Sequence, residues 1–469
     1  MAGAPAEGGR FRTLSGPPGL FTRLLLMGIP VVGAFFILDI PSYLNLALFK
    51  WGISWRMMIL QEQYFGIFLA MILGGVFLIV PPTRGAARDR VPWYDALLSI
   101  LGFAVGLYVA FLYPRILWEL GIITPDRVIM GGLAILLVLE ALRRLTGWFL
   151  VGLGLFFITY ARFTWLFPGV FYGRGTPWDQ LTNYLFLDPN ALLGLPIKVT
   201  AGIVLAFIFF GNMLFAVGGG KFLTDIAMAT FGRFRGGPAK MAVVASSLFG
   251  TISGSAVSNV ATTGVMTIPL MKQSGYRPHI AGAVEAVAST GGQLMPPIMG
   301  AAAFLIAEFI GVPYRQVIAA ALLPAILYYL AVFVQVDLEA GKSRLLGLSR
   351  DQLPHLRSVM GQSWLFLVPL GVLLYALFTL HFEAGKAGFT GVLSILVLGF
   401  LLPRQTRFRG AWIKQALEST GRSLMELTVI VALAGFIIGA INVSGLGFNL
   451  SLSLVGLAGG NIGILLLIV

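Results

Sequence analysis

The chain has 469 residues, 58% of them hydrophobic and only 11% charged, with a mean hydropathy of +0.90. Its apolar runs are continuous rather than alternating, which predicts an all-α polytopic membrane protein and argues against a β-barrel. The net charge of +13 lies in short loops between apolar spans, where it orients helices and does not point to nucleic acid; zero cysteines exclude disulfides and thiolate metal sites, and His279, His355 and His381 form no metal-ligand motif.

Residues 1–23, with Arg10, Arg12 and Arg23, are expected to form a cytoplasmic tail. Leu24 to Leu38 reads as an uncleaved first span, because Asp39-Ile40-Pro41 follows it instead of a small-x-small cleavage site. Tyr43 to Ile59, with Trp51 and Trp55, suits a segment at the membrane interface. Spans follow near Tyr64–Val80, Trp93–Leu112, Val128–Leu142 and Gly147–Phe167, and then a polar loop from Tyr172 to Pro189.

Leu192 to Val217 is a long span. It leads through Gly218-Gly219-Gly220-Lys221 to a short helix, Phe222 to Phe231, and the basic stretch Arg233-Phe234-Arg235-Gly236-Gly237-Pro238. Two apolar arms, Pro238–Leu248 and Val265–Met271, then flank an uncharged centre rich in Gly, Ser and Thr. Neither arm alone reaches the roughly 20 apolar residues a crossing needs. The expectation is a helical hairpin over 238–271 that enters and leaves on one face, with an irregular, oxygen-rich tip at mid-depth. An ordinary span with a small-residue packing face is the competing reading.

His279 to Phe309 is broken by Gly291-Gly292-Gln293-Leu294-Met295-Pro296-Pro297, which predicts two half-helices around an unwound middle. Tyr314 to Val336 spans again, and a charged loop is expected from Asp337 to Met360. Two spans, Gln362–Leu380 and Ala387–Leu402, follow. Arg404 to Arg422 reads as a basic amphipathic helix, Leu424 to Asn442 as a span, and Ile462 to Val469 as the start of another. Basic residues concentrate on one side, inside, when the N-terminus is cytoplasmic and 238–271 returns to its own face; a single crossing would move Lys272, Arg277 and Lys342 to Arg357 outside.

A faint internal repeat relates Ile208-Phe209-Phe210-Gly211 and Gly218 to Phe436-Ile437-Ile438-Gly439 and Gly445. The two copies run in opposite directions by the loop count, the pattern of an inverted-repeat secondary transporter.

The stretch Gly250-Thr251-Ile252-Ser253-Gly254-Ser255-Ala256-Val257-Ser258-Asn259-Val260-Ala261-Thr262-Thr263-Gly264, with Gly275-Tyr276-Arg277-Pro278 and Ala288-Ser289-Thr290-Gly291-Gly292-Gln293-Leu294-Met295-Pro296-Pro297, resembles the large membrane subunit of TRAP (tripartite ATP-independent periplasmic) transporters. The variant looks like the fused permease of the TAXI subgroup, with small and large membrane subunits in one chain. The resemblance is carried by about Ala206 to Gly311. It divides the chain into the tail 1–23, a small-subunit-like module 24–190, a first large-subunit repeat 191–336, and 337–469 with linking spans and the start of a second, incomplete repeat.

That resemblance implies sodium-coupled import of an organic acid, delivered by a periplasmic TAXI-type binding protein, across a bacterial or archaeal inner membrane. It implies no cofactor beyond Na⁺ as coupling ion. Carried over residue by residue, Na⁺ would be held by Ser253, Gly254, Ser255, Ser258 and Asn259 against Ser289, Thr290, Gly291, Gly292 and Pro296. The substrate carboxylate would meet Thr262 or Thr263. Glu285 is a further candidate for the cavity or for coupling, whereas Glu140, Glu308 and Glu426 read as interfacial or paired. An enzyme is not expected, since no His, Asp or Glu cluster has catalytic spacing, and a channel would need a pore-lining ring. A binding-protein-independent symporter of the divalent-anion type is the alternative carrier, and a truncated, non-transporting fragment is the other.

Overall fold

The computed structural model describes residues 11–43, 59–83, 85–119, 121–361, 363–401, 410–459 and 461–468. Among them all regular structure is helical. The helices are α1 (Gly16–Ile37), α2 (Gln61–Ile79), α3 (Trp93–Trp118), α4 (Pro125–Thr146), α5 (Trp148–Arg162) and α6 (Trp178–Leu187). Next come α7 (Leu195–Val199), joined by a π-helical turn to α8 (Leu205–Ala216), then α9 (Gly219–Phe231), α10 (Gly237–Ser253), α11 (Ala256–Gln273) and α12 (Pro278–Gly291). The chain continues through α13 (Ala301–Ile310), α14 (Tyr314–Lys342), α15 (Leu356–Met360), α16 (Trp364–Phe378), α17 (Ala384–Leu401), α18 (Ala411–Val443), α19 (Leu446–Leu457) and α20 (Ile462–Ile468). Six of the described helical segments are long and apolar enough to cross a membrane: α1, α2, α3, α7 with α8, α14 and α18; a bent pair, Arg350–Met360 with Trp364–Phe378, could make a seventh.

The described chain forms two compact units. One holds 33–38 and 202–421; the other holds 11–32, 39–201 and 422–468. The division expected after residue 190 therefore falls near 201, and the last part of the chain groups with the first module. The contacts explain this grouping. A methyl group on Gly435 would lie 2.9 Å from the carbonyl oxygen of Ala191, and one on Gly154 would lie 2.4 Å from Leu433. In the same unit α2 and α3 pack through small residues: a methyl group on Gly106 would meet the Ala70 amide at 2.3 Å. Such close helix approach is how membrane helices gain dispersion contacts without a hydrophobic driving force.

Several expectations need correction. The expected tail does not hold over residues 11–23: Arg12 is buried and its amide donates to the Ile79 carbonyl at 2.8 Å, and α1 begins at Gly16. The Arg12 guanidinium pairs with Asp95 and donates to the carbonyls of Phe77 at 3.0 Å and Leu78 at 3.2 Å. Asp95 also meets Arg144 at 2.7 Å, and Arg144 binds Glu140 at 2.7 Å. The polar loop after Tyr172 contains α6, whose Leu181, Leu185 and Phe186 are buried. The loop expected from Asp337 begins six residues later, since α14 continues to Lys342. The basic helix and the span after it are one helix from Ala411, 33 residues long. At 1.5 Å per residue that is about 50 Å, well beyond a hydrocarbon core of about 30 Å. The interfacial segment expected after Tyr43 and the basic residues Arg404, Arg407 and Arg409 lie outside the described residues.

The hairpin and the broken helix are present in the first unit. The repeat noted in the sequence has a local counterpart: Gly218 (φ 101°) and Gly445 (φ 71°) both take the left-handed conformation and both start a short helix, α9 and α19. A side chain at either position would be strained, so glycine terminates the long helix and redirects the chain.

Candidate functional site

The two arms of the hairpin, α10 and α11, are 17 and 18 residues long. Only Gly254 and Ser255 leave the helical path. The tip is thus far more helical than its composition predicts. The reason lies in the hydroxyls. Ser247 donates to Val244 O at 2.8 Å, Thr251 to Leu248 O, Thr262 to Ser258 O at 2.9 Å and Thr263 to Asn259 O at 2.8 Å. Each side chain satisfies its polar group on its own helix, so a hydroxyl-rich segment can stay helical in an apolar setting. Gly254 turns the chain at φ 58°, and the Ser255 hydroxyl accepts from the Ser258 amide at 3.3 Å as the cap of α11.

The base of the hairpin closes at one end. Tyr276 Oη donates to the Gly236 carbonyl at 3.4 Å, which brings the residue after the second arm to the residue before the first. Gly236 N–H donates to Leu345 O at 3.3 Å. Lys240, buried, meets Asp337 of α14 at 2.5 Å, and Arg235 pairs with the same carboxylate. The ammonium also sits 5.3 Å from the centroid of the Phe333 ring.

The arms are joined internally by polar contacts. Asn259, fully buried, donates through Nδ2 to Ser246 O at 2.8 Å. Glu285 of α12 is also fully buried. It accepts from Ser246 of the first arm at 3.3 Å, from Thr263 and Thr267 of the second arm, and from Ser289 on its own helix at 3.1 Å. One carboxyl group thus binds both arms to the helix that leads into the break.

The break itself follows the sequence expectation. Helix α12 stops at Gly291 and α13 resumes at Ala301. The intervening chain lies against the hairpin tip: Ile298 N–H donates to Thr251 O at 3.2 Å, and a methyl group on Gly254 would lie 2.1 Å from Met299 O. Lower down, a methyl group on Gly250 would lie 2.3 Å from Gly292 Cα, and one on Gly292 would lie 3.1 Å from Asn259 Nδ2. Two helix C-termini, those of α10 and α12, therefore converge on Gly250, Asn259 and Gly292. Helix C-termini carry partial negative charge and favour cations.

The ten residues expected around Na⁺ fall into distinct places. Gly254, Asn259 and Gly292 are at the contact between tip and break. Ser289 points to Glu285. Ser253 accepts from the Ser255 amide at 3.4 Å. Ser258 and Thr290 are exposed, Thr290 donating to Ala286 O at 2.8 Å. Gly291 lies under the ring of Tyr328, and Pro296 is buried. Of the residues expected to meet substrate, Thr262 is exposed, while Thr263 and Glu285 are buried against each other. Sequence reasoning did not find Ser246, Thr267, Thr251 or Met299. Ser246 and Thr267 lie in the apolar arms; Thr267, four residues after Thr263, shares its helix face, whereas Ser246 is one of the adjacent pair Ser246-Ser247 and only its bond to Glu285 sets it apart. Among the described residues no group of three or more His, Asp or Glu could hold a metal ion.

Membrane-length helices together with a helical hairpin and a broken helix define a carrier-type membrane protein rather than an enzyme. Comparison with known proteins agrees. Residues 133–469 match the family described as "Tripartite ATP-independent periplasmic transporter, DctM component", and the chain belongs to that family. Similar proteins include YgiK of Salmonella typhimurium, 30% identical over 181 residues, which cover 36% of this chain and 39% of YgiK. The isethionate TRAP transporter permease protein DctMQ of Oleidesulfovibrio alaskensis is 24% identical over 62% of this chain and 44% of its own. The C4-dicarboxylate TRAP transporter large permease protein DctM of Pseudomonas aeruginosa is 35% identical over 25% of this chain and 29% of its own. The chain thus spans less than half the length of these relatives.

Proposed function

We propose that this chain forms the membrane part of a sodium-coupled importer of an organic acid, supplied with substrate by a periplasmic binding protein of the TAXI type. The observation that carries this reading is the convergence of the α10 and α12 C-termini at Gly250, Asn259 and Gly292. Oriented carbonyl dipoles and neutral side-chain oxygens suit a hard monovalent cation. Around that point Ser253, Gly254, Ser255, Ser258 and Asn259 on the hairpin, with Ser289, Thr290, Gly291, Gly292 and Pro296 at the break, form the sodium set. The N-terminus of α11, capped by Ser255, suits the substrate carboxylate, and exposed Thr262, further along the same arm, reaches it by turning its hydroxyl away from Ser258 O. Thr263 and Glu285 serve the same substrate indirectly by fixing the arm on which Thr262 sits.

In this reading the N-terminus is cytoplasmic and the hairpin opens to the cytoplasmic face of the inner membrane, as the distribution of Arg and Lys favours. The repeat around Gly218 and Gly445 belongs to an inverted pair. The test is uptake of labelled organic acids into proteoliposomes with and without the binding protein, under an inward Na⁺ gradient. Uptake that needs both supports the proposal. Uptake without the binding protein favours the divalent-anion type of symporter, and uptake indifferent to Na⁺ rejects sodium coupling.

A further inference from the structure

Helices α12 and α14 do not close against each other along their whole length. A groove of about 430 Å³ runs between them. One wall is the α12 stripe His279, Ile280, Val284 and Val287; the other is the α14 stripe Val332, Val336, Glu339 and Lys342. Both stripes repeat at three- to four-residue spacing, so each is one face of a helix. The far end is sealed where Tyr328 Oη donates to Val287 O at 2.8 Å and Tyr329 Oη to Ala288 O at 3.0 Å.

The groove has a direction. Because the helices are antiparallel, His279 at the start of α12 and Glu339 and Lys342 at the end of α14 share its mouth, while four valines and the Gln335 side chain line the interior. The mouth lies at the end where the hairpin closes, since α14 also carries Asp337, the partner of Lys240. From His279 to Val287 the groove extends roughly 12 Å along α12, and from Val332 to Lys342 roughly 15 Å along α14. Half of a hydrocarbon core of about 30 Å is about 15 Å. The apolar part alone, Ile280 to Val287, is about 10 Å long and fits within the depth of one leaflet.

The charges at the mouth are of both signs. Glu339 accepts from the Ser343 hydroxyl at 3.4 Å, and neither Glu339 nor Lys342 forms an ion pair among the described residues, although they stand three residues apart on one helix. A ligand with an anionic and a cationic group would meet both. We infer that the groove holds one acyl chain of a phosphatidylethanolamine, its phosphate facing His279 and Lys342 and its ammonium donating to Glu339. An ammonium with N–H donors forms charge-assisted hydrogen bonds with a carboxylate; a choline headgroup has no such donors, and a glycerol headgroup has no positive charge.

The full chain, purified and delipidated in detergent, is mixed with equal amounts of phosphatidylethanolamine, phosphatidylcholine and phosphatidylglycerol of identical acyl chains, and retained lipid is read by native mass spectrometry. The expected result is one phosphatidylethanolamine per chain, at least fivefold over either competitor. Glu339→Gln reduces that preference to twofold or less, and Val332→Trp, which fills the groove, removes the adduct. Equal retention of all three lipids, a preference for phosphatidylglycerol, or an adduct that survives Val332→Trp overturns the assignment. If Val332→Trp fails to elute as a monodisperse species, Glu339→Gln decides: an undiminished preference also overturns it.

Discussion

Asn259 Nδ2 donates to the Ser246 carbonyl across the hairpin at 2.8 Å, deep in the fold and away from solvent. This bond fixes the two arms in register just below the tip. Interhelical hydrogen bonds inside membranes contribute about 0.6 kcal/mol on average and up to about 1.7. Asn259→Ala should therefore cost about 1 kcal/mol, visible as a modest fall in the thermal midpoint of the purified protein. Its effect on apparent Na⁺ affinity should be larger, at least tenfold, because Asn259 also stands beside Gly292.

Glu285 collects three hydroxyls from the hairpin, those of Ser246, Thr263 and Thr267. At the same bond strength, Glu285→Ala should destabilise the protein by about 2–3 kcal/mol. Glu285→Gln, which keeps the volume and one acceptor oxygen, should fall between wild type and Glu285→Ala. Thermal denaturation followed by circular dichroism ranks the three proteins. An exposed control, Thr290→Ala, should leave the midpoint unchanged.

Gly250 and Gly292 let hairpin and break touch backbone to backbone. A methyl group on Gly250 would lie 2.3 Å from Gly292 Cα, and neither backbone has a flexible end that could yield. Gly250→Ala should separate the tip from the break. We expect Na⁺-dependent protection against thermal unfolding to disappear, with the Na⁺-free midpoint changed little. A variant protected by Na⁺ as wild type is would show that this close approach does not build the ion site.

In the second unit, buried Asp95 is shared by Arg12 and Arg144. Removing one partner of a buried ion pair costs about 3–5 kcal/mol, because the remaining charge is stranded. Asp95→Ala should also release the stretch around Arg12. Limited trypsin digestion with mass spectrometry should detect cleavage after Arg12 in the variant and not in the wild type.

Much of this arrangement was legible in the sequence. The hairpin, the break at Gly291 to Pro297 and the pairing of Ser and Thr with short apolar arms follow from glycine, proline and hydroxyl placement alone. The helical tip was not, since composition records hydroxyls but not that each bonds to its own helix. Nor was the order of Arg12. One of three arginines in a Gly- and Pro-rich stretch, Arg12 gives no sign that Asp95, 83 residues away, completes it. The continuity of α18 was hidden because its basic first half and apolar second half read as two elements, although no Gly-Pro break separates them.

The central claim is that α10 and α11 enter and leave the bilayer on one face. The chain has no cysteine, so single cysteines at Arg233 and Lys272, both exposed, can be labelled cleanly. A membrane-impermeant maleimide is applied to right-side-out and to inverted vesicles. Labelling of both positions from the cytoplasmic face alone is the predicted result. Labelling of Arg233→Cys and Lys272→Cys from opposite faces would contradict it.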